Sequence, residues 1–157
     1  ESTIENVHTK DVTTEFGEFK LNVWRDVIFD EYHFSLTKGF PEKVDVPMVR
    51  VQTQSVLQDT LGIDEIGKKW SIRKSLQKIA DEGTGVFVLI NHRDAKTYWL
   101  SSLKDENVEP KRNRRVIGIG SQILRAIGLN KIKVLGTPTK YSGLSGFNIE
   151  IEGFIDE

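Results

Sequence analysis

The sequence predicts an α+β domain, with a small antiparallel β region followed by a helix–strand α/β layer. Three observations carry this. Apolar residues alternate with a period of two in the first third of the chain, at Phe19, Leu21 and Val23 and again at Tyr32, Phe34 and Leu36. The period then changes to that of a helix, with Ile72, Leu76, Ile79 and Ala80 on one side. This stretch leads into Gly85-Val-Phe-Val-Leu-Ile90, an unbroken apolar run of the kind buried on both faces of a sheet.

In chain order, residues 1–12 contain Ser2, Thr3, Glu5, Asn6 and Lys10 with little apolar content. They read as a linker or lead-in from an upstream domain, with structure beginning near Glu15 and the domain filling residues 13–157. Two antiparallel strands follow, the first behind a turn at Gly17 and the second through Tyr32, Phe34 and Leu36. Pro47-Met-Val-Arg-Val51 is a third strand, because a strand can begin at a residue without an N–H. Ser71 is placed to N-cap the first helix and Gly83 to end it. The pattern returns where Ser121 is expected to open a helix bearing Ile123, Leu124 and Ile127, closed by Gly128 and followed by the strand Lys131–Leu135. Asn148-Ile-Glu-Ile-Glu152 alternates again and reads as an edge or terminal strand. No repeat or low-complexity tract interrupts the series.

The composition is that of an ordinary soluble domain: 157 residues, 38% hydrophobic, 29% charged and a net charge of −1. At this length folding buries about 68–70% of the unfolded chain's surface, enough for a core without metal or disulfide staples. Balanced charge and a pI near 6.4 provide no basic stripe, so nucleic acid is not an expected partner. No apolar stretch approaches the ~20 residues of a membrane span, and the first residues lack a leader's basic and apolar regions. The chain therefore reads as cytoplasmic, with no membrane partner. It starts at Glu1 rather than Met, which reads as a segment cut from a longer polypeptide. Zero cysteines exclude a disulfide framework, a thiol nucleophile, a thiolate zinc site and an iron–sulfur cluster.

Several segments taken together resemble a known enzyme. Gly118-Ile-Gly-Ser-Gln-Ile-Leu-Arg-Ala-Ile-Gly128, Asn130-Lys-Ile-Lys-Val-Leu135 and Lys140-Tyr-Ser-Gly-Leu-Ser-Gly-Phe-Asn-Ile-Glu150 resemble the C-terminal half of GTP cyclohydrolase II, which opens riboflavin biosynthesis. Phe16-Gly-Glu-Phe19, Glu31-Tyr-His-Phe-Ser-Leu-Thr-Lys38, Val49-Arg-Val51 and residues 71–85 extend the resemblance, in order, over nearly the whole chain. The resemblance implies a GTP cyclohydrolase II-like fold.

It also shows what is missing. Family members hold zinc with three cysteines. Here the first falls on Ser55 and the other two within Ile63–Lys68, where Asp64 and Glu65 do not restore a tetrahedral set, so no metal is expected. His8, His33 and His92 read as satisfied or exposed histidines rather than ligands. The family's Gln-Glu-Gly-Arg-Gly segment has become Asn91-His-Arg-Asp-Ala95. The family's base and nucleophile, an Asp two residues before an Arg, stand here as Asn113 and Arg115, and an amide takes up no proton near neutral pH. Both are therefore vestigial. Of the family's triphosphate and guanine contacts, Arg50 is kept, Lys140 matches, Thr137 stands one place late behind Gly136, and Gln54 replaces a Glu. Arg50, Gln54, Arg115, Thr137 and Lys140 are the candidate phosphate- or nucleotide-binding residues.

The cationic run Lys111-Arg-Asn-Arg-Arg115 lies ahead of Gly118-Ile-Gly120 and the expected helix start. It reads either as a solvated charge run or as part of a phosphate cradle of backbone N–H groups. Trp24, Trp70, Trp99 and Tyr98 read as core or interface and carry no assigned chemistry. Ser55, Ser75 and Ser121 have no His–carboxylate arrangement nearby in sequence, and Asp64-Glu65 and Asp105-Glu106 read as loop charge.

Taken with the resemblance, the chain is expected to be a non-catalytic domain with no cofactor of its own. It is expected to follow a 3,4-dihydroxy-2-butanone 4-phosphate synthase domain on the same chain, where Mg would serve that upstream domain alone. Dimerisation as a homodimer, or sensing of a nucleotide or flavin, would be its role. The competing expectation is an active GTP cyclohydrolase II-type hydrolase, releasing formate and pyrophosphate, with an unrecognised metal site.

Overall fold

The computed structural model describes residues 2–63, 70–91, 100, 103–104, 110–136 and 148–156, and of residues 110–114 the helical backbone alone. Its strands are β1 (Ile4–Thr14), β2 (Gly17–Asp26), β3 (Glu31–Lys38), β4 (Met48–Thr53), β5 (Gly85–Ile90), β6 (Lys131–Leu135) and β7 (Glu150–Ile155). Helix α1 spans Ile72–Glu82 and helix α2 spans Pro110–Ile127.

The strands form one sheet in the order β1-β2-β3-β5-β4-β6-β7. Strands β1, β2, β3 and β5 pair antiparallel, whereas β4 is parallel to both β5 and β6, and β7 is parallel to β6. The architecture is thus α+β, as expected. The β region and the α/β layer are not separate, however, because β5 inserts between β3 and β4 and joins the two halves into one sheet.

Residues 86–90 of β5 are apolar because both sides of the strand are covered. Val86, Val88 and Ile90 pack with Trp24, Val49 and the α2 residues Ile119, Ile123 and Leu124. Phe87 faces the other way, with Phe19, Met48, Leu135 and the α1 residues Leu76 and Ile79. One helix on each face is what a parallel strand pair requires.

The expected boundaries of α1 hold. Ser71 Oγ accepts from the Lys74 N–H, and Gly83 at φ 85° takes the left-handed cap, its N–H donating to Ile79 and Ala80. Gly128, at φ 107°, closes α2 in the same way.

Four expectations are corrected. Residues 4–12 are part of β1, paired with β2 from Ile4↔Asp26 to Thr14↔Gly17, so ordered structure begins well before Glu15. The strand is exposed along most of its length, which is why its sequence is polar. Helix α2 opens at Pro110 rather than Ser121, with proline at the position where a missing N–H costs nothing. Lys111–Arg115 therefore lie within the helix, and Gly118 and Gly120 are interior to it instead of forming a phosphate cradle at its start. In β3 the buried side chains are Glu31, His33, Ser35 and Thr37, while Tyr32 is exposed and Phe34 and Leu36 are half-buried. The last strand also runs Glu150–Ile155, two residues later than its expected start at Asn148.

Gly120 has a packing role instead. A Cβ there would stand 2.9 Å from Val51 Cγ1, so the missing side chain lets α2 press onto β4. Gly120→Val is expected to lower stability in urea unfolding by roughly 1–3 kcal/mol, the usual cost of overpacking. Combining it with Val51→Ala should cost less than the sum of the two single losses.

Candidate functional site

Arg50 is buried in the middle of β4, on the α1 side of the sheet. Its Nε donates to Gln52 Oε1 (2.9 Å), Nη1 to the Leu135 carbonyl (3.0 Å) and Nη2 to the Trp70 carbonyl (3.0 Å). The guanidinium thereby ties β4 to the end of β6 and to the residue that leads into α1. A charge can stay buried only with such a set of acceptors.

Among the described residues, one side-chain donor of Gln52 and one of Trp70 have no partner. Because Gln52 Oε1 faces the Arg50 Nε–H, the amide orientation is set, and Gln52 Nε2 is left buried without an acceptor. Trp70 Nε1 is likewise buried and unpartnered, with Lys74 Nζ 4.8 Å from its ring centroid. A buried donor left unmet costs about 1–3 kcal/mol.

Ser55, where the family's first zinc cysteine falls, is 4% exposed. It caps the turn Val56–Thr60: its Oγ accepts from the Gln58 N–H, and its own N–H donates to Asp59 Oδ2 (2.7 Å). The hydroxyl is used by the backbone, and no thiol exists anywhere in the chain. The residues present do not fit the family's zinc.

A second polar cluster lies on the opposite, α2 side of the sheet, where Arg115 Nη2 pairs with Glu31 Oε1. The Arg115 guanidinium stacks 4.0 Å from the Phe29 ring centroid. Asp26, Glu31 and His33, all buried, place their ligating atoms within 4.8 Å of one another. This grouping does not suit a cation. The Asn91 N–H donates to His33 Nδ1 (3.0 Å), so the neutral ring carries its proton on Nε2, which lies 3.9 Å from Glu31 Oε1. A metal-bound imidazole has the reverse arrangement, with a lone pair toward the metal and the other nitrogen donating. Arg115 adds a positive charge at the same carboxylate. The grouping is an ion-pair and hydrogen-bond network beneath the β2–β3 turn.

Burial holds His33 below its ordinary imidazole range, against the pull of Glu31 and Asp26, and Arg115 pushes the same way as burial. Of the other histidines, His8 is exposed on β1, while His92 lies outside the described residues.

The structure thus places Arg50 and Arg115 on opposite faces of the sheet and does not bring them together. Gln54 is exposed just beyond β4, its N–H donating to the Ile90 carbonyl. Asn113 lies in the first turn of α2, with its side chain outside the description. Thr137, Lys140, Asp64 and Glu65 fall outside the described residues. Gln52, Asp26 and Glu31 were not singled out by sequence reasoning, and Trp70 was read only as core or interface. The usable signal was the alternation of polar residues Glu31, His33, Ser35 and Thr37 through a strand that also alternates apolar ones.

The GTP cyclohydrolase II family model matches residues 5–156. The chain belongs to that family. It is 29% identical to a 3,4-dihydroxy-2-butanone 4-phosphate synthase of Pseudomonas aeruginosa, over 99% of this chain and 44% of that protein. It is 30% identical to the riboflavin biosynthesis protein RibBA of Cytophaga hutchinsonii, over 90% of this chain and 38% of that protein. The crystal structure of RibBX, a two-domain 3,4-dihydroxy-2-butanone 4-phosphate synthase from A. baumannii, superposes with a TM-score of 0.69 at 27% identity, covering all of this chain and 41% of that one. The chain spans less than half the length of these relatives. No helix among the described residues is long and apolar enough to cross a membrane.

Two outcomes follow from the second cluster. Arg115→Met removes the cation facing the Glu31 carboxylate and is expected to cost about 1–3 kcal/mol in denaturant unfolding. Adding Glu31→Leu should bring the loss below the sum of the single variants. For His33, the unfolded chain takes up its proton first, near pH 6.5, because the folded value is lower. Stability should therefore fall as pH is lowered through about 6.5 toward the folded value. In His33→Gln, urea unfolding from pH 8 to 5 should show a weaker slope.

Proposed function

We propose that this chain is the non-catalytic GTP cyclohydrolase II-like domain of a riboflavin biosynthesis protein whose upstream domain is a 3,4-dihydroxy-2-butanone 4-phosphate synthase. Its role on this reading is to sense a nucleotide or flavin, in a cytoplasmic homodimer, while the carbon chemistry takes place upstream.

Hydrolytic opening of a purine needs a strong nucleophile near neutral pH, and zinc supplies one by lowering the pKa of bound water from about 15.7 to about 7. With zero cysteines, Ser55 used as a cap and Asn113 in place of the family's Asp, this chain has neither the ligands nor the base. What favours a sensor over a purely structural part is the pair of unpartnered buried donors, Gln52 Nε2 and Trp70 Nε1, beside Arg50. They call for a ligand rich in acceptors, such as a phosphate or the carbonyls of a flavin ring. Gln54, Thr137 and Lys140 remain proposed contacts by resemblance, whereas Arg115 lies on the opposite face of the sheet from Arg50, paired with Glu31.

Calorimetric titration with GTP, GDP, pyrophosphate and FMN tests the reading: at least one should release or absorb heat, and Trp70→Phe should weaken that ligand roughly tenfold without lowering stability. No heat with any of the four would leave assembly as the only role. Formate release from GTP above background in zinc-supplemented buffer would favour the competing reading, an active hydrolase with an unrecognised metal site.

A further inference from the structure

The turn between β2 and β3 is built of apolar residues that face water. Val27 is 45% exposed, Ile28 65% and Phe29 48%, and Tyr32 at the start of β3 is 45% exposed. Turns of this kind are ordinarily made of Gly, Asn, Asp, Pro or Ser, and a contiguous exposed apolar group marks a contact surface.

This turn is also braced from within. The buried Asp26 accepts through Oδ1 from the N–H groups of Ile28 (2.9 Å) and Phe29 (3.3 Å). Asp30, at φ 52°, accepts from Arg25 Nε (2.9 Å), and the Arg115 guanidinium covers one side of Phe29. Such bracing leaves little to order on binding, so the apolar surface is presented at low entropic cost.

The start of the chain runs beside it. The Val27 N–H donates to the Thr3 carbonyl (3.0 Å), and Gln122 Oε1 holds the Thr3 N–H (2.7 Å). A polypeptide that continues ahead of residue 2 therefore leaves the fold next to the exposed turn. The relatives are more than twice as long as this chain, which covers 41–44% of two of them. A domain tethered at that point meets the turn at high effective concentration. We propose that Val27, Ile28 and Phe29 form the docking surface for the preceding domain of the same polypeptide. The inference rests on the reading that such a domain is present.

Photo-crosslinking in the complete natural polypeptide tests it, with p-benzoylphenylalanine in place of Ile28 and peptide mass mapping of the products. Cross-links within one molecule, to residues ahead of this domain, are expected. A cross-link only between two molecules, or none, overturns the proposal. In the same polypeptide, Ile28→Asp should speed protease cleavage between the domains by roughly tenfold or more, at unchanged melting temperature of this domain. An unchanged cleavage rate overturns the proposal too. Intact mass separates the two failures: a polypeptide without a preceding domain sinks the functional reading as well, whereas one with such a domain but no contact at Ile28 sinks only the docking.

Discussion

Strands β4 and β5 lie at the centre of the sheet with a helix on each side, and the rest of the structure follows from that two-sided burial. A strand covered on both faces needs apolar side chains at every position, as in Val86–Ile90, or polar ones whose bonds are met inside the protein. Arg50 is the second case, its charge held by Gln52 and two backbone carbonyls. Gly120 is the corresponding feature on the helix side. An interior glycine costs a helix about 1 kcal/mol relative to alanine, and here it gives α2 its close approach to Val51.

The same burial separates the two arginines kept from the family. On the α1 side, Arg50 acts between strand ends with unmet donors at Gln52 and Trp70. On the α2 side, Arg115 neutralises Glu31 and braces Phe29. The sheet thus divides a cluster that ties strand ends together from one that braces a turn. At Ser55 the hydroxyl serves the backbone as a cap: it accepts an N–H readily and would hold zinc poorly.

Much of this was legible in the residues. Ser71 and Gly83 mark α1, Gly128 ends α2, and the apolar run marks β5, because caps and continuous burial leave local signatures. The lack of thiols was equally plain. Strand β1 was not legible, since its stability comes from pairing with β2 and its exposed side chains carry no apolar pattern. The opening of α2 was hidden by its glycines and cationic run, which read as loop until the sheet beneath them is known. In β3 two alternating sets compete, and which one faces inward depends on what lies above the sheet. Gln52 and Trp70 were invisible as a pair because 17 residues lie between them and what joins them is the buried guanidinium of Arg50.

The sequence by itself determined the α+β class, the family and the absence of any thiol, because each of these rests on residue type and local order. Tertiary structure alone decided that Arg50 and Arg115 lie on opposite faces, that His33 keeps its proton on Nε2, and that Gln52 Nε2 and Trp70 Nε1 are among the buried donors without an acceptor. Those properties depend on which groups meet across the sheet, and hydrogen bonds are made between neighbours in space.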